Sequence, residues 1–154
     1  MAITISSTHR SVSVLAVSAA LDDHSALRAI FSHSAWTLRG VASLKEALRW
    51  LERDPVPVVI CNRELPDGDW RSLLRKSQSL PRPARVLVAA ATPDDRLWEE
   101  VGSAGGYDVL EIPFQPRDVF YSVHMAWESW HRQWARASAP AALQTGAGDP
   151  NPAA

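Results

Sequence analysis

At 154 residues, the chain is long enough for one domain with a substantial hydrophobic core. It contains 46% hydrophobic and 21% charged residues, typical of a soluble globular protein, and its formal net charge of −1 predicts no general attraction to nucleic acid or membrane. A single cysteine, Cys61, excludes a disulfide framework. Because the chain also lacks a signal-peptide pattern and a membrane-length apolar run, we expect a cytoplasmic protein.

The first third of the chain alternates short apolar runs with amphipathic helices. Apolar runs over 12–17 and 36–41 predict two strands, and the second is mixed in character, as expected at the edge of a sheet. Between them, Asp22 or Asp23 is expected to cap a helix. After them, the sequence 43–46 (SLKE) is a capping box that begins the next helix.

The same alternation continues through the rest of the domain. The further predicted elements are a strand over 56–61, a helix from Gly68 or Asp69, a strand over 85–90, a helix from Thr92-Pro93 closed by Gly105-Gly106, a strand over 107–112 and a helix over 116–134. This rhythm predicts an α/β fold, a flavodoxin-like (βα)5 doubly wound parallel sheet of strand order 2-1-3-4-5. We expect the domain to cover 11–134 and the Ala-, Pro- and Gly-rich segment 135–154 to be a disordered tail.

Two segments of this predicted sheet carry a recognisable pattern. The apolar strand ending at Cys61 runs into Asn62-Arg63-Glu64-Leu65-Pro66, and the segment 104–114 (AGGYDVLEIPF) ends in Pro-Phe just before the last helix. Together with the element rhythm, they resemble the receiver domains of response regulators in two-component signalling. The resemblance covers about residues 11–134 and implies a signalling module that works with a protein partner. For this chain we expect no cofactor.

The resemblance places altered residues at every position that carries receiver chemistry. Asn62 stands at the aspartate that takes the phosphoryl group, Ser18 and Ala19 at the acidic pair that holds Mg²⁺, Ala90 at the Thr or Ser that contacts the phosphoryl group, Ile112 at the lysine, and Val109 at the aromatic switch residue. A carboxamide is a poor nucleophile, and without carboxylates or lysine neither a metal nor a transferring phosphoryl group is stabilised. The resemblance therefore implies a degenerate receiver with a vestigial phosphorylation site, and we expect neither an enzyme nor a metal protein.

Nearby acids leave alternatives open. If the first strand ran on through Leu21, Asp22 and Asp23 would replace the lost acidic pair; otherwise they serve as capping residues. Asp67 and Asp69 follow the acceptor position, and either of them, or an acid at Asp22-Asp23, could act as a displaced acceptor, although acids in a loop before a helix are usually solvated or capping residues.

The last helix carries a continuous apolar stripe at spacings of three and four residues. It consists of Val119, Val123, Trp127, Trp130 and Trp134. At 1.5 Å per residue the helix spans about 27 Å, more than a sheet of this size needs. Its tryptophans either fold back as a hydrophobic lid or form a contact surface for a partner or a second copy. The candidate interface residues are Trp98, Val109, Trp127, Trp130 and Trp134.

Three functions follow from these patterns. We expect a stand-alone pseudo-receiver that acts by phosphorylation-independent contact with a kinase, another regulator or itself, with a homodimer through the last helix as one form. The alternatives are a phosphorylatable regulator with a displaced acceptor, and a small-ligand sensor. The sensor's crevice would be lined by Ser18, Asn62, Ala90, Thr92 and Ile112. No helix-turn-helix pattern, nucleophile–base pair or metal-ligand spacing is recognisable, so we expect no nucleic-acid partner, no membrane partner and no catalysis.

Overall fold

The structure is a computed structural model that describes residues 12–137. The strands are β1 (Ser13–Val17), β2 (Thr37–Val41), β3 (Val58–Asn62), β4 (Glu64–Leu65), β5 (Gly68–Asp69), β6 (Arg85–Ala90) and β7 (Asp108–Glu111). The helices are α1 (Leu21–Phe31), α2 (Leu44–Arg53), α3 (Trp70–Gln78), α4 (Asp95–Ala104) and α5 (Pro116–Ala137). Apart from the short β4 and β5, each strand is followed by a helix.

The main sheet has the predicted topology. Its order is β2-β1-β3-β6-β7, and every neighbouring pair is parallel. Since β4 and β5 form a separate antiparallel hairpin, this order corresponds to the predicted 2-1-3-4-5. The hairpin was missed in the sequence, which indicated only a loop, because a two-residue strand is too short to show a periodicity.

Both faces of the sheet are covered, which explains why its strands are apolar at nearly every position. Successive side chains of a strand point to opposite faces. In β3, Val59 and Cys61 therefore belong to a core formed with α2, α3 and α4, which we call the first core. Val58 and Ile60 belong to a second core formed with α1 and α5.

Two helix starts differ from the sequence expectations. Helix α1 begins at Leu21 behind Ala20, which makes no side-chain capping bond, so neither Asp22 nor Asp23 is its N-cap. Helix α4 begins at Asp95, later than Thr92-Pro93 suggested, because the Asp94 side chain accepts a hydrogen bond from the backbone N–H of Leu97 over 2.9 Å.

Two other helix ends agree with the sequence. The Ser43 side chain accepts from the N–H of Glu46 over 3.2 Å, and the Glu46 carboxylate accepts from the N–H of Ala42 over 3.0 Å. Gly105 ends α4 with a φ of 97°, a left-handed conformation that glycine adopts without strain.

Helix α5 continues to Ala137, so the first three residues of the predicted tail are helical. The rest of that tail lies outside the described residues. Within 12–137, no helix combines the length and apolar character that a membrane span requires.

Candidate functional site

Ser18 and Asn62 meet at the carboxyl edge of the sheet. Val17 of β1 pairs with Cys61 of β3, which brings the next residue of each strand side by side. The amide nitrogen of Asn62 lies 3.4 Å from the Ser18 hydroxyl oxygen, to which it donates. The sequence had placed these two residues together at the acceptor position and the first acidic position, and they are neighbours in the structure.

Asp23 completes the site from the first turn of α1. Its Oδ2 accepts a hydrogen bond from the Ser18 hydroxyl over 2.6 Å and another from the Asn62 amide over 2.9 Å. The Asp23 side chain is buried, with 8% exposure, whereas Asp22 points to solvent. Asp23 therefore neither caps the helix nor forms part of an acidic pair on an extended first strand, because β1 ends at Val17.

The turn between β1 and α1 positions Asp23. The backbone N–H of Ala20 donates to the Ser18 hydroxyl over 3.0 Å, and the ring Nε2 of His24 lies 2.7 Å from the Ser18 carbonyl oxygen. Because a carbonyl only accepts, Nε2 carries the proton. The His24 ring packs on Gly40, where a Cβ atom would lie 2.6 Å from Nδ1. A glycine at this position in β2 therefore leaves room for the ring.

The other expected site residues lie apart from this cluster. Ala19 is exposed. Ala90 is buried in the first core, on the other face of the sheet, whereas Ala89 pairs in register with Asn62 and lines the cavity beside it. Ile112 is half-buried and packs against the second core. The strand alternation explains the one-residue difference between Ala89 and Ala90.

The space left at the site is about 10 Å³, room for about one water molecule. Its polar lining comes from Ser18, Asp23, His24 and Asn62, and the remaining lining residues, Phe114 among them, are apolar. Neither a lysine nor an arginine lines this cavity. The site thus has a carboxylate, a carboxamide, a hydroxyl and an imidazole, held together by hydrogen bonds.

Comparison with solved structures identifies the fold. The signal receiver domain of an HD domain-containing protein from Pseudomonas fluorescens is 25% identical to this chain with a TM-score of 0.74, and the match covers 82% of this chain and 94% of that one. The CheY-like response regulator receiver domain from Methanospirillum hungatei is 16% identical with a TM-score of 0.71, over 80% of this chain and 98% of that one.

A two-component response regulator from Clostridium difficile is 15% identical with a TM-score of 0.69, over 76% of this chain and 96% of that one. The chain is a receiver domain by fold. No protein-family model and no curated protein matches its sequence.

The acids that follow Asn62 in this receiver domain hold its loops in place. Asp67 lies in the β4–β5 hairpin, and its two oxygens accept from the backbone N–H groups of Leu44 and Lys45 over 2.8 and 3.0 Å. Both hydrogen bonds lower the pKa of the Asp67 carboxyl below its ordinary value, and the bond from Leu44 contributes most. The hairpin is therefore tied to the N-terminus of α2.

Asp69 is the N-cap of α3. Its Oδ1 accepts from the backbone N–H groups of Arg71 and Ser72 over 3.1 and 3.2 Å. Burial opposes ionisation of this carboxyl, but the hydrogen bonds from Ser72 and Arg71 outweigh it and lower its pKa. Both Asp67 and Asp69 are thus engaged in capping, and neither lines the cavity beside Asn62.

The predicted interface residues occupy different environments in the receiver domain. Trp98 is 48% exposed on α4. Val109 is 5% exposed and packs in the first core, so it does not lie on the surface as a candidate interface residue should. It is buried because β7, although an edge strand, is covered by helices on both faces.

The tryptophans of α5 are partly buried. Trp127 packs against the second core and stacks on the ring of His131, with 4.9 Å between ring centroids. Trp130 and Trp134 are half-buried, and neither indole N–H has a hydrogen-bond partner among the described residues. Gln133, between them, accepts from the Arg85 guanidinium over 2.6 Å, which ties this part of α5 to the start of β6.

Three exposed residues near the β7 edge were not singled out in the sequence. Tyr121 and Met125 lie four residues apart on α5 and are 66% and 38% exposed, and Tyr107, just before β7, is 37% exposed. Together with Trp98 they come from α4, the start of β7 and α5, and we call them the edge surface. Tyr107 and the pair on α5 are far apart in the sequence, so no single periodicity groups them.

Proposed function

We propose that this receiver domain acts in cytoplasmic signal transduction without phosphorylation of Asn62, through contact with a protein partner. The observation that carries the proposal is the hydrogen bond from the Asn62 amide to the buried Asp23 carboxylate. It engages the amide group at the acceptor position with a side chain of the domain itself.

The chemistry of the site supports this proposal. The amide nitrogen of Asn62 has a delocalised lone pair and is a poor nucleophile, whereas phosphoryl transfer to a receiver needs an attacking carboxylate. Transfer also needs cationic groups to stabilise the charge on the phosphoryl oxygens. Among the residues that line the cavity beside Asn62, His24 is the only basic side chain, and its Nε2 is already bonded to the Ser18 carbonyl.

The size of the cavity supports it as well. A space of about 10 Å³ holds about one water molecule and is too small for a phosphoryl group or a metabolite. The crevice at Ser18 and Asn62 therefore offers no support for the small-ligand sensor that the sequence left open at this position.

A direct test is the intact mass of the protein after incubation with Mg²⁺ and acetyl phosphate. We expect no added phosphoryl group on the unaltered chain. The matched variant Asn62→Asp restores a carboxylate at the acceptor position and shows whether the scaffold can still accept a phosphoryl group. Stoichiometric addition to the unaltered chain would contradict the proposal, and fragmentation would then locate the modified residue.

A second candidate function is phosphorylation at a displaced acceptor, and one observation favours Asp23 for that role. Its carboxylate lies within 2.9 Å of the Asn62 amide, at the acceptor position, while Asp67 and Asp69 are engaged in capping. The variant Asp23→Asn separates the two functions. If the unaltered chain gains a phosphoryl group and Asp23→Asn does not, Asp23 is the acceptor.

For the output of the domain, we propose contact through the edge surface. Trp98, Tyr107, Tyr121 and Met125 are its exposed large hydrophobic side chains, and aromatic residues and methionine are enriched at protein interfaces. We propose that a second copy of the chain binds this surface. The homodimer through the last helix, which the sequence predicts, has the same partner. A kinase or another regulator would compete for the same residues.

A further inference from the structure

A much larger cavity opens beside the vestigial site, between the end of β3 and helices α3 and α4. Its volume is about 610 Å³, within the range of small-molecule sites, compared with about 10 Å³ at Asn62. Its polar lining consists of Arg63, Arg71, Arg96, Glu99, Glu100 and Ser103. We call it the arginine cavity. Arg63 follows directly after Asn62, so the two sites are adjacent.

Arg71 links the two helices that line this cavity. Its Nη2 donates to Glu100 on α4 over 2.6 Å, its Nε donates to the other oxygen of the same carboxylate, and its Nη1 donates to Asp69 over 2.9 Å. The hydrogen bonds from Arg71 are the main reason why the pKa of Glu100 is lowered. Arg71, Asp69 and Glu100 thus satisfy one another and hold α3 against α4.

Arg63 and Arg96 are in a different situation. Both act on Glu100 only at longer range, where their charges add to the lowering of its pKa. Within residues 12–137, neither guanidinium has a hydrogen bond or an ion pair, although Arg63 is half-buried. Each guanidinium carries five N–H donors in a planar fork. Two arginines whose donors have no partner among the described residues therefore line the cavity, beside the network of Arg71, Asp69 and Glu100.

We propose that the arginine cavity binds the phosphate group of a small phosphorylated molecule, or free phosphate, through Arg63 and Arg96. Guanidinium forks bind phosphate oxygens in bidentate geometry and are the preferred groups for this task. Glu100 and Asp69 are already bonded to Arg71, which leaves Arg63 and Arg96 with only Glu99 among the remaining charged residues of the lining. The proposal is independent of whether Asn62 or Asp23 accepts a phosphoryl group.

The test is a ¹H–¹⁵N NMR titration of the full chain with inorganic phosphate, against a chloride titration at the same ionic strength. We expect saturable shifts at the backbone amides around Arg63 and from Arg96 to Ser103. A parallel titration with adenosine monophosphate distinguishes the source of the phosphate: tighter binding assigns a phosphate ester, and equal or weaker binding assigns free phosphate. Shifts confined to Ser18, Asp23 and Asn62 would overturn the proposal.

Three matched variants, each with the same charge change, complete the test. Arg63→Gln and Arg96→Gln each remove one donor set and should weaken phosphate binding about tenfold or more. Arg75→Gln alters an exposed arginine of α3 that does not line the cavity, and it should leave the affinity unchanged. The absence of saturable shifts in the unaltered chain, or an equal loss in all three variants, would overturn the proposal.

Discussion

The side-chain amide of Asn62 donates a hydrogen bond across 2.9 Å to the buried carboxylate of Asp23, and so joins the end of β3 to the first turn of α1. The Ser18 hydroxyl donates to the same oxygen over 2.6 Å. A carboxylate at position 62 would face Asp23 with a like charge and no donor. Asparagine is thus the residue type that matches Asp23 at a site that neither a lysine nor an arginine lines.

The first prediction concerns Asn62→Asp, which should destabilise the domain at neutral pH. The change removes a donor from a buried carboxylate and adds a like charge, at a cost of about 1–3 kcal/mol in the free energy of unfolding. The loss of stability should become smaller as the pH falls into the range in which carboxyl groups take up protons. A proton shared by the two side chains then restores a hydrogen-bond donor between them. Urea unfolding as a function of pH measures both effects.

A reversed pair is the control for this prediction. The double variant Asp23→Asn with Asn62→Asp keeps one amide and one carboxylate at the same place and should recover most of the lost stability. If Asn62→Asp alone is as stable as the unaltered chain at neutral pH, the Asn62–Asp23 hydrogen bond contributes nothing to the fold.

The second prediction concerns Asp67, whose carboxylate caps α2 from the β4–β5 hairpin. Asp67→Asn keeps one acceptor oxygen, loses the charge and should lower the unfolding midpoint at neutral pH. Because the pKa of Asp67 is lowered in the folded state, its stabilisation is present above the ordinary carboxyl pKa of 3.8 and is lost as the pH falls through the lowered value.

The difference between Asp67→Asn and the unaltered chain should therefore vanish in acid, which thermal unfolding at a series of pH values measures. Glu111→Gln makes the same charge change at an exposed position of β7 and should shift the midpoint little. A constant difference between Asp67→Asn and the unaltered chain down to the lowest pH would show that the charge of Asp67 is not involved.

Most of the fold could be predicted from the sequence, because it rests on periodicity and on signals at the ends of elements. The five strands of the main sheet, their order and the capping box at Ser43 and Glu46 all follow from such local patterns. The site could be predicted only in part. Ser18 and Asn62 come together because each follows a strand, and strand ends meet at one edge of a parallel sheet.

The place of Asp23 could not be predicted, since it depends on where β1 ends. The residues between β1 and α1 are Ser18, Ala19 and Ala20, small side chains that do not mark the end of a strand. The sequence left Asp23 as a capping residue, as part of an acidic pair or as a displaced acceptor, and the structure shows neither of the first two. Asp23 is a hydrogen-bond acceptor that enters the site from the helix.

Three residues of the proposed edge surface were missed for a related reason. A helical stripe identifies a buried face, but periodicity does not show which neighbouring elements its two flanks meet. Phe120 packs against Phe31 and Trp36, while Ser122 donates to Asp108 of β7. Trp127, two turns after Phe120, lies on the flank toward α1 and away from the edge surface.

The third prediction concerns Cys61, which is fully buried in the first core. Burial, helped by the charge of Asp69, raises the pKa of its thiol from 9.0 to about 12. The folded protein should therefore not react with thiol reagents at mildly alkaline pH. Since the unfolded chain ionises first, this thiol should also lower the stability as the pH rises from 9.0 toward about 12.

Reaction with a coloured disulfide reagent, followed over time with and without denaturant, measures the accessibility of Cys61. A cysteine placed at an exposed position of α1, in Cys61→Ala with Ser25→Cys, is the control and should react at once. Equally fast reaction of Cys61 in the folded chain would mean that the first core opens readily.

The fourth prediction concerns the edge surface and its proposed occupant, a second copy of the chain. Tyr121→Ser with Met125→Ser should weaken self-association about tenfold or more, because exposed aromatic residues dominate interface energetics. It should lower the unfolding midpoint only modestly, because Tyr121 is 66% exposed, although Met125 is only 38% exposed. Sedimentation equilibrium measures the first effect and thermal unfolding the second. Arg75→Ser alters an exposed position of α3, which contributes no residue to the edge surface, and should leave association unchanged. Equal weakening by Arg75→Ser, or a chain that is monomeric throughout, would rule out the second copy and leave the surface to a different protein.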